Sequence, residues 1–382
     1  PPLALGLREC SLGDEGVAEI ARSPWVTGNL GVRALSLRHN QLTAKGVRVL
    51  LESLRSSPSS GGIGGGSGDR LSFLELDFNP IGDAGVQPFP AYLKQRAAGG
   101  GGGLQELSLR FCDIGPAGCR YLSSALIKSA ASAATLASPG PTTTPVDFKA
   151  TGDNTPPAHE EEETGEVGGR EKEGEADEEG DAGALVAPPA AGVRRLLLTG
   201  NRLGDAGARA LASALKKDRS LEVLDLSRCQ IGDDGARCLA DALRLNTCLR
   251  ELRLGYNDIS ADGASALASV LYAGSSNLQS LELQGNNVGD AGAIALAHGL
   301  LGGDGSDGGG GGGGSTRRGR RRRESGAKKE QRRPGRLRRL NLAGNDIGCS
   351  GGCALAKALL GGAGGRGESM LEELDLAGNA VS

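Results

Sequence analysis

One pattern constrains this chain more than any other feature: L-x-x-L-x-L-x-x-N/C-x-L recurs ten times along its 382 residues. Four copies read RRLLLTGNRLGDAG, LEVLDLSRCQIGDDG, LRELRLGYNDISADG and LQSLELQGNNVGDAG, and their Asn/Cys positions are Asn201, Cys229, Asn257 and Asn286. Those positions step by 28, 28 and 29 residues. The other copies place Cys10, Asn40, Asn79, Cys112, Asn345 and Asn379 at the same point. A fixed period of this kind describes one supersecondary unit that cannot bury its apolar face alone and must stack on its neighbours. Composition leaves little alternative. With 65 glycines, 3% aromatic residues, one Met and one Trp, the chain lacks the large side chains of an ordinary globular core.

Each part of the unit has a physical task. Leu196 and Leu198 alternate along a short strand and face inward, whereas Arg195, Leu197 and Thr199 face the other side of the sheet. Asn201 follows where the chain turns, and its amide can satisfy backbone groups that no ladder reaches, a duty that a Cys thiol meets more weakly. Asp205 is expected to cap the helix that comes next. Ala208, Leu211, Ala212 and Leu215 then fall on one helical face, as do Ala236, Leu239, Ala240 and Leu243, and Ala264, Leu267, Ala268 and Leu271. Parallel strands stack about 4.8 Å apart while helices need roughly 8 to 10 Å, so the array must bend with its strands on the concave side.

The 28 to 29 residue unit, with a full helix and the N/C-x-L-x-x-x-G turn, resembles the leucine-rich repeats of the ribonuclease-inhibitor type. Ribonuclease inhibitor, the repeat regions of NOD-like receptors and Ran GTPase-activating protein share it. The resemblance implies an α/β solenoid, a horseshoe with parallel strands on the concave face and helices on the convex face. It leaves the function open, because these relatives do different things.

Longer steps mark insertions. From Cys112 to Asn201 the step is 89 residues and from Asn286 to Asn345 it is 59. Shorter additions fall at Ser56 to Gly68, Gly99 to Gly103 and Gly361 to Gly367. All lie after a helix and before the next strand, on one edge of the solenoid. Either the clear surfaces receive a partner, or the Asn turn simply has no room for extra residues. The expected organisation is repeats 1–4 over 1–128, an unstructured Pro/Thr-rich and acidic insert over 129–190, repeats 5–8 over 191–301, an unstructured poly-Gly and basic insert over 302–335, and repeats 9–10 over 336–382. Lengthening the loop at the acidic insert costs roughly 2 kcal/mol of closure entropy. Stacking the flanking units buries several leucines at about 1.5 to 3 kcal/mol each, so one continuous solenoid is expected. The chain opens on Pro1 and stops at Ser382 inside the pattern, without polar capping units, and reads as a piece of a longer one.

The formal charge of -3 hides two opposed tracts. Between His159 and Asp181 twelve acidic residues accompany only Arg170 and Lys172, and between Thr316 and Arg339 thirteen Lys and Arg accompany only Glu324 and Glu330. The basic run from Arg317 to Arg336 resembles a nuclear-import signal; with no interleaved aromatic residue to stack on bases, nucleic acid is not an expected partner. Of the eight cysteines, Cys10, Cys112 and Cys229 occupy repeat Asn positions, and Cys119, Cys238 and Cys353 fall in expected helices. They read as reduced, buried packing residues. No apolar run reaches the roughly 18 residues of a membrane span, and a cytoplasmic location is expected, or nuclear through the basic insert.

Catalysis finds little support. The histidines are His39, His159 and His298, no Cys/His cluster has zinc spacing, and the glycine runs lack the phosphate-cradling GxxxxGK[ST]. No cofactor and no metal are expected. The concave face is richer. Its central row reads Glu75, Ser108, Leu197, Asp225, Arg253, Glu282, Asn341 and Asp375, with Arg8, Arg38, Asp77, Arg110, Thr199, Ser227 and Gln284 beside it. His39, Phe78, Phe111, Arg228 and Tyr256 come just before the Asn/Cys position. Polar groups with aromatics and arginines near one rim are the composition of a protein-binding surface. The expected contact residues are therefore His39, Glu75, Phe78, Arg110, Phe111, Asp225, Arg228, Arg253, Tyr256 and Glu282, although Phe78 and Phe111 adjoin the turn and are expected to be buried in it. The expected function is a non-catalytic scaffold or regulatory repeat region. The alternative is a small-GTPase activator of the Ran-specific type, with Arg202 as the one arginine in a strand-to-helix turn.

Overall fold

The computed structural model describes residues 3–23, 32–56, 71–98, 103–136, 192–273, 276–301, 336–360 and 370–381. The acidic tract, the poly-Gly run and the Arg317 to Arg336 tract, except Arg336 itself, lie outside them. So do all of residues 137–189, where the Pro/Thr-rich and acidic insert was expected.

Ten strands form one sheet in strict chain order: β1 Leu3–Gly6, β2 Val32–Ser36, β3 Phe73–Glu75, β4 Glu106–Ser108, β5 Arg195–Leu197, β6 Val223–Asp225, β7 Glu251–Arg253, β8 Ser280–Glu282, β9 Arg339–Asn341 and β10 Glu373–Asp375. Every pair is parallel, and β4 pairs with β5 in the same register as its neighbours, Leu107 with Leu196 and Ser108 with Leu197. The long insert therefore interrupts the sequence without interrupting the sheet. β8 and β9 likewise pair across the second insert. A helix follows nearly every strand. α1 is Gly13–Arg22, α2 Ala44–Ser56, α3 Gly82–Val86, α4 Phe89–Ala98, α5 Pro116–Leu136, α6 Gly204–Leu215, α7 Asp233–Leu243, α8 Ala261–Ala273, α9 Gly289–Leu301 and α10 Cys349–Leu360. The third repeat breaks its helix into α3 and α4 at Pro88, which lacks the amide a continuous helix would need. α5 runs to Leu136, past the boundary expected at 128.

Between sheet and helices lies one continuous apolar core. Leu74, Leu107, Leu196, Leu224, Leu252, Leu281 and Leu340 stack in register, and all are buried. Ala208, Leu211, Ala212 and Leu215 close it from the helix side, with the equivalent residues of α7 and α8.

The Asn ladder holds the strand ends. Asn201 is buried, and its Oδ1 accepts from the amides of Cys112 and Ile114 at 3.1 and 3.0 Å. Its Nδ2 donates to Leu109 O at 2.8 Å and Leu198 O at 2.7 Å, so one side chain ties two repeats together. Asn79 and Asn257 repeat the arrangement. The Cys112 thiol only donates, to Leu76 O and Arg110 O at 3.3 Å, and the preceding repeat's Ile81 amide turns to Asn79 O instead. Burial pushes the Cys112, Cys119 and Cys229 thiols up to about 12, so they stay protonated. All eight cysteines are free thiols, but Cys10 and Cys353 are exposed and Cys238 is half-buried, which corrects the expectation that all pack inside. Cys353 sits on α10 facing away from the core, and Cys10 lies in the first repeat, with no earlier described unit to cover it.

The capping expectation also needs correction. Asp205 lies inside α6 and does not cap its own helix. Its Oδ1 accepts from Gly232 and Gly235, at 2.8 and 2.9 Å, at the start of the next repeat's helix. Asp14, Asp83, Asp233 and Asp290 do the same one repeat on. The cap crosses repeats because the receiving position is glycine: a Cβ on Gly235 would sit 2.6 Å from Asp205 Oδ1.

Candidate functional site

The sheet face away from the helices is polar because every second strand residue points there. Its central row is continuous in register from Ser36 through Glu75, Ser108, Leu197, Asp225, Arg253, Glu282 and Asn341 to Asp375. At the N-terminal end, Glu75 accepts from Arg8 Nη2 at 2.9 Å and Ser36 Oγ at 2.6 Å, a self-contained cluster. Further along, a hollow of about 380 Å³ opens. Phe78, Arg110, Phe111, Asp225, Arg228, Arg253, Tyr256 and Glu282 line it, together with Arg38, Asp77, Thr199, Ser227 and Gln284. Of the contact residues expected from sequence, His39 and Glu75 stand outside it.

The acids of the hollow are already engaged. Asp225, only 4% exposed, lies 3.8 Å from Arg110 Nη2 and 3.7 Å from Arg253 Nη1. Arg253 also meets Glu251 at 2.6 Å and Glu282 at 3.4 Å. Burial alone would lower the Arg253 pKa, but the Glu251 hydrogen bond and the charges of Glu251, Glu282 and Asp225 carry it above the ordinary value. Asp77 accepts from Ser108 Oγ at 2.6 Å and the Arg110 amide at 2.9 Å, and burial outweighs both to raise its pKa. Two buried atoms of the hollow have no hydrogen-bond partner among the described residues: Arg110 Nε, a donor, and Gln284 Oε1, an acceptor.

The rim is the part that sequence reasoning misjudged. Phe78 and Phe111 are 38% and 41% exposed rather than buried in the turn, and Tyr256 is 51% exposed. The reason is backbone conformation. Residues just before the Asn/Cys position adopt positive φ, 57° at Phe78, 52° at Phe111, 56° at Arg228 and 55° at Tyr256, which swings their side chains out over the hollow. Phe78 stacks on Phe111 at 4.7 Å with a 16° interplanar angle. The Arg38 guanidinium lies 4.7 Å above Phe78 and that of Arg228 4.2 Å above Tyr256, both cation–π contacts. His39 is tilted by 58° at 6.4 Å from Phe78 and completes no stack. The signal that could have revealed this was the glycine occupying the same slot in other repeats, Gly200 and Gly285. Among the described residues, no cluster of three or more His, Cys, Asp or Glu could hold a metal ion, and no helix is long and apolar enough to cross a membrane.

The family model for Leucine Rich repeat matches residues 29–51, 71–89, 104–123, 193–212, 217–240, 245–268, 274–297 and 337–356. No curated protein matches the chain. Among solved structures, one of a TDR receptor aligns over 97% of this chain at 12% identity, with a TM-score of 0.39. A TLR13–ssRNA13 complex aligns over 88% at 14% identity and a TM-score of 0.35, and a structure titled leiomodin-1 actin-binding site 2 over 25% at 20% identity and 0.23. The chain spans 38%, 31% and 56% of those chains, respectively. Eight matched segments, each spanning a strand and its turn, and ten parallel strands in chain order identify this chain as a leucine-rich-repeat protein.

Proposed function

We propose that the chain is a non-catalytic interaction scaffold, the sensing or regulatory repeat region of a larger protein, holding a protein partner on the open face of its sheet. The observation that carries this reading is the hollow: aromatic and arginine side chains surround it, and a buried donor and a buried acceptor in it lack partners. An unsatisfied buried polar atom costs about 1 to 3 kcal/mol, which a partner's complementary group would recover. A helix behind nearly every described strand supports reading the unit as the ribonuclease-inhibitor type.

Reversing charge together at Asp225, Arg253 and Glu282 should abolish capture of the partner from the source cell while leaving the circular dichroism unchanged. Undiminished capture would remove the central strands as the site. A GTP-hydrolysis assay with small GTPases separates this reading from an activator of the Ran-specific type: acceleration at micromolar protein would replace the scaffold proposal.

A further inference from the structure

We infer that the rim of this hollow takes an acidic, extended peptide segment of the partner, a specification that rests on the scaffold reading above. The rim consists of two stacks. In the first, Arg38 covers one face of Phe78 and Phe111 covers the other. Phe111 in turn lies across Gly200, where a Cβ would meet three successive ring atoms at 2.3, 2.4 and 2.7 Å. In the second, Arg228 covers Tyr256, which lies across Gly285, with a Cβ there 2.6 Å from the ring. Both faces of each ring are thus occupied by protein. What the stacks leave outward are ring edges and guanidinium N–H groups, and the edge is the positive part of an aromatic quadrupole.

Charge points the same way. The hollow's carboxylates are satisfied by Arg110, Arg253, Ser108 and backbone amides, whereas Arg38 and Arg228 have ring faces but no ion pair among the described residues. Arg110 Nε and Gln284 Oε1, both in the same hollow, lack an acceptor and a donor among the described residues. An extended peptide supplies both, carbonyls or carboxylates for the first and a backbone N–H for the second. A single-stranded nucleic acid is disfavoured because its bases need ring faces to stack on, and none is free.

The test uses a (Glu-Ser)5 peptide bearing a terminal benzophenone, photo-cross-linked to the full chain, with adducts mapped by mass spectrometry. The basic tract at Arg317 to Arg336 will also capture this peptide and serves as an internal reference. Adducts are expected at Phe78, Phe111 or Tyr256, reduced about ten-fold relative to the tract in the Arg38→Gln/Arg228→Gln variant, as expected for the loss of one good ionic contact. A (Lys-Ser)5 analogue should leave the rim unlabelled, and decauridylate should compete no better than unlabelled (Glu-Ser)5. Adducts confined to the basic tract, rim labelling unchanged in the variant, or stronger competition by decauridylate would overturn the inference. If partner capture is lost on central charge reversal but rim labelling fails, the scaffold reading stands and this one falls.

Discussion

The slot just before each Asn or Cys is filled in two ways along the same sheet. Gly200, Gly285, Gly344 and Gly378 occupy it at φ of 74°, 67°, 60° and 68°, whereas Glu9, His39, Phe78, Phe111, Arg228 and Tyr256 occupy it at 52° to 58°. The conformation therefore belongs to the turn, not to the residue: the Asn ladder beneath imposes it, and glycine accepts it without strain. Where the slot holds a ring or an arginine, the turn becomes a platform that projects a side chain. Where it holds glycine next to a ring, it becomes the seat on which that ring lies.

The largest effect should come from removing what imposes the turn. Asn201→Ala deletes four buried hydrogen bonds and is expected to cost about 4 kcal/mol in urea unfolding. A cost below about 1 kcal/mol would mean the turn holds itself. Next, Gly200→Val and Gly344→Val separate strain from crowding. Both put a β-branched residue at positive φ, but a Cβ at Gly200 enters the Phe111 ring while the nearest atom at Gly344 is 3.9 Å away. We expect about 3 kcal/mol at Gly200 and about 1 to 2 at Gly344, with Phe111→Ala relieving only the former. Equal losses would deny Gly200 its role as a seat.

A smaller effect concerns the caps that brace these turns across repeats. Asp233→Ala should cost about 1 kcal/mol. Burial works to raise the Asp233 pKa, but hydrogen bonds from Ser260 and Gly263 and the charge of Arg237 bring it below 3.8. Its contribution is thus present above the unfolded value and lost as pH falls through the folded one. Asp77, raised by burial, has the opposite sign and weakens the fold as pH rises from 3.8 through its folded value. Thermal melts across that window should show a shallower acid loss in Asp233→Ala than in the parent. The smallest effect is expected at the platform itself. Phe111→Gly loses a stack worth about 0.5 to 1.5 kcal/mol and relieves strain of similar size, so stability should stay within about 1 kcal/mol. Leu109→Ala, two residues away and fully buried, should cost about 2 to 5.

The repeat made the architecture legible. Periodic leucines fixed strand, core and helix face, and the long steps located the inserts, because stacking energy exceeds loop-closure cost and a one-dimensional array has few ways to stack. The Asn positions were legible for the same reason: a buried amide there has one place to bond. The tertiary structure alone decided the fate of the rim. Alternation along a strand says which face a residue takes but ends where the strand ends, so Phe78 and Phe111 read as turn residues. Their exposure depends on a positive φ imposed by the turn and on what fills the same slot one repeat further along, Phe111 for Phe78 and Gly200 for Phe111. The direction of the Asp205 cap was hidden likewise, since its partner amides lie 27 and 30 residues away in sequence and become neighbours only when the repeats stack.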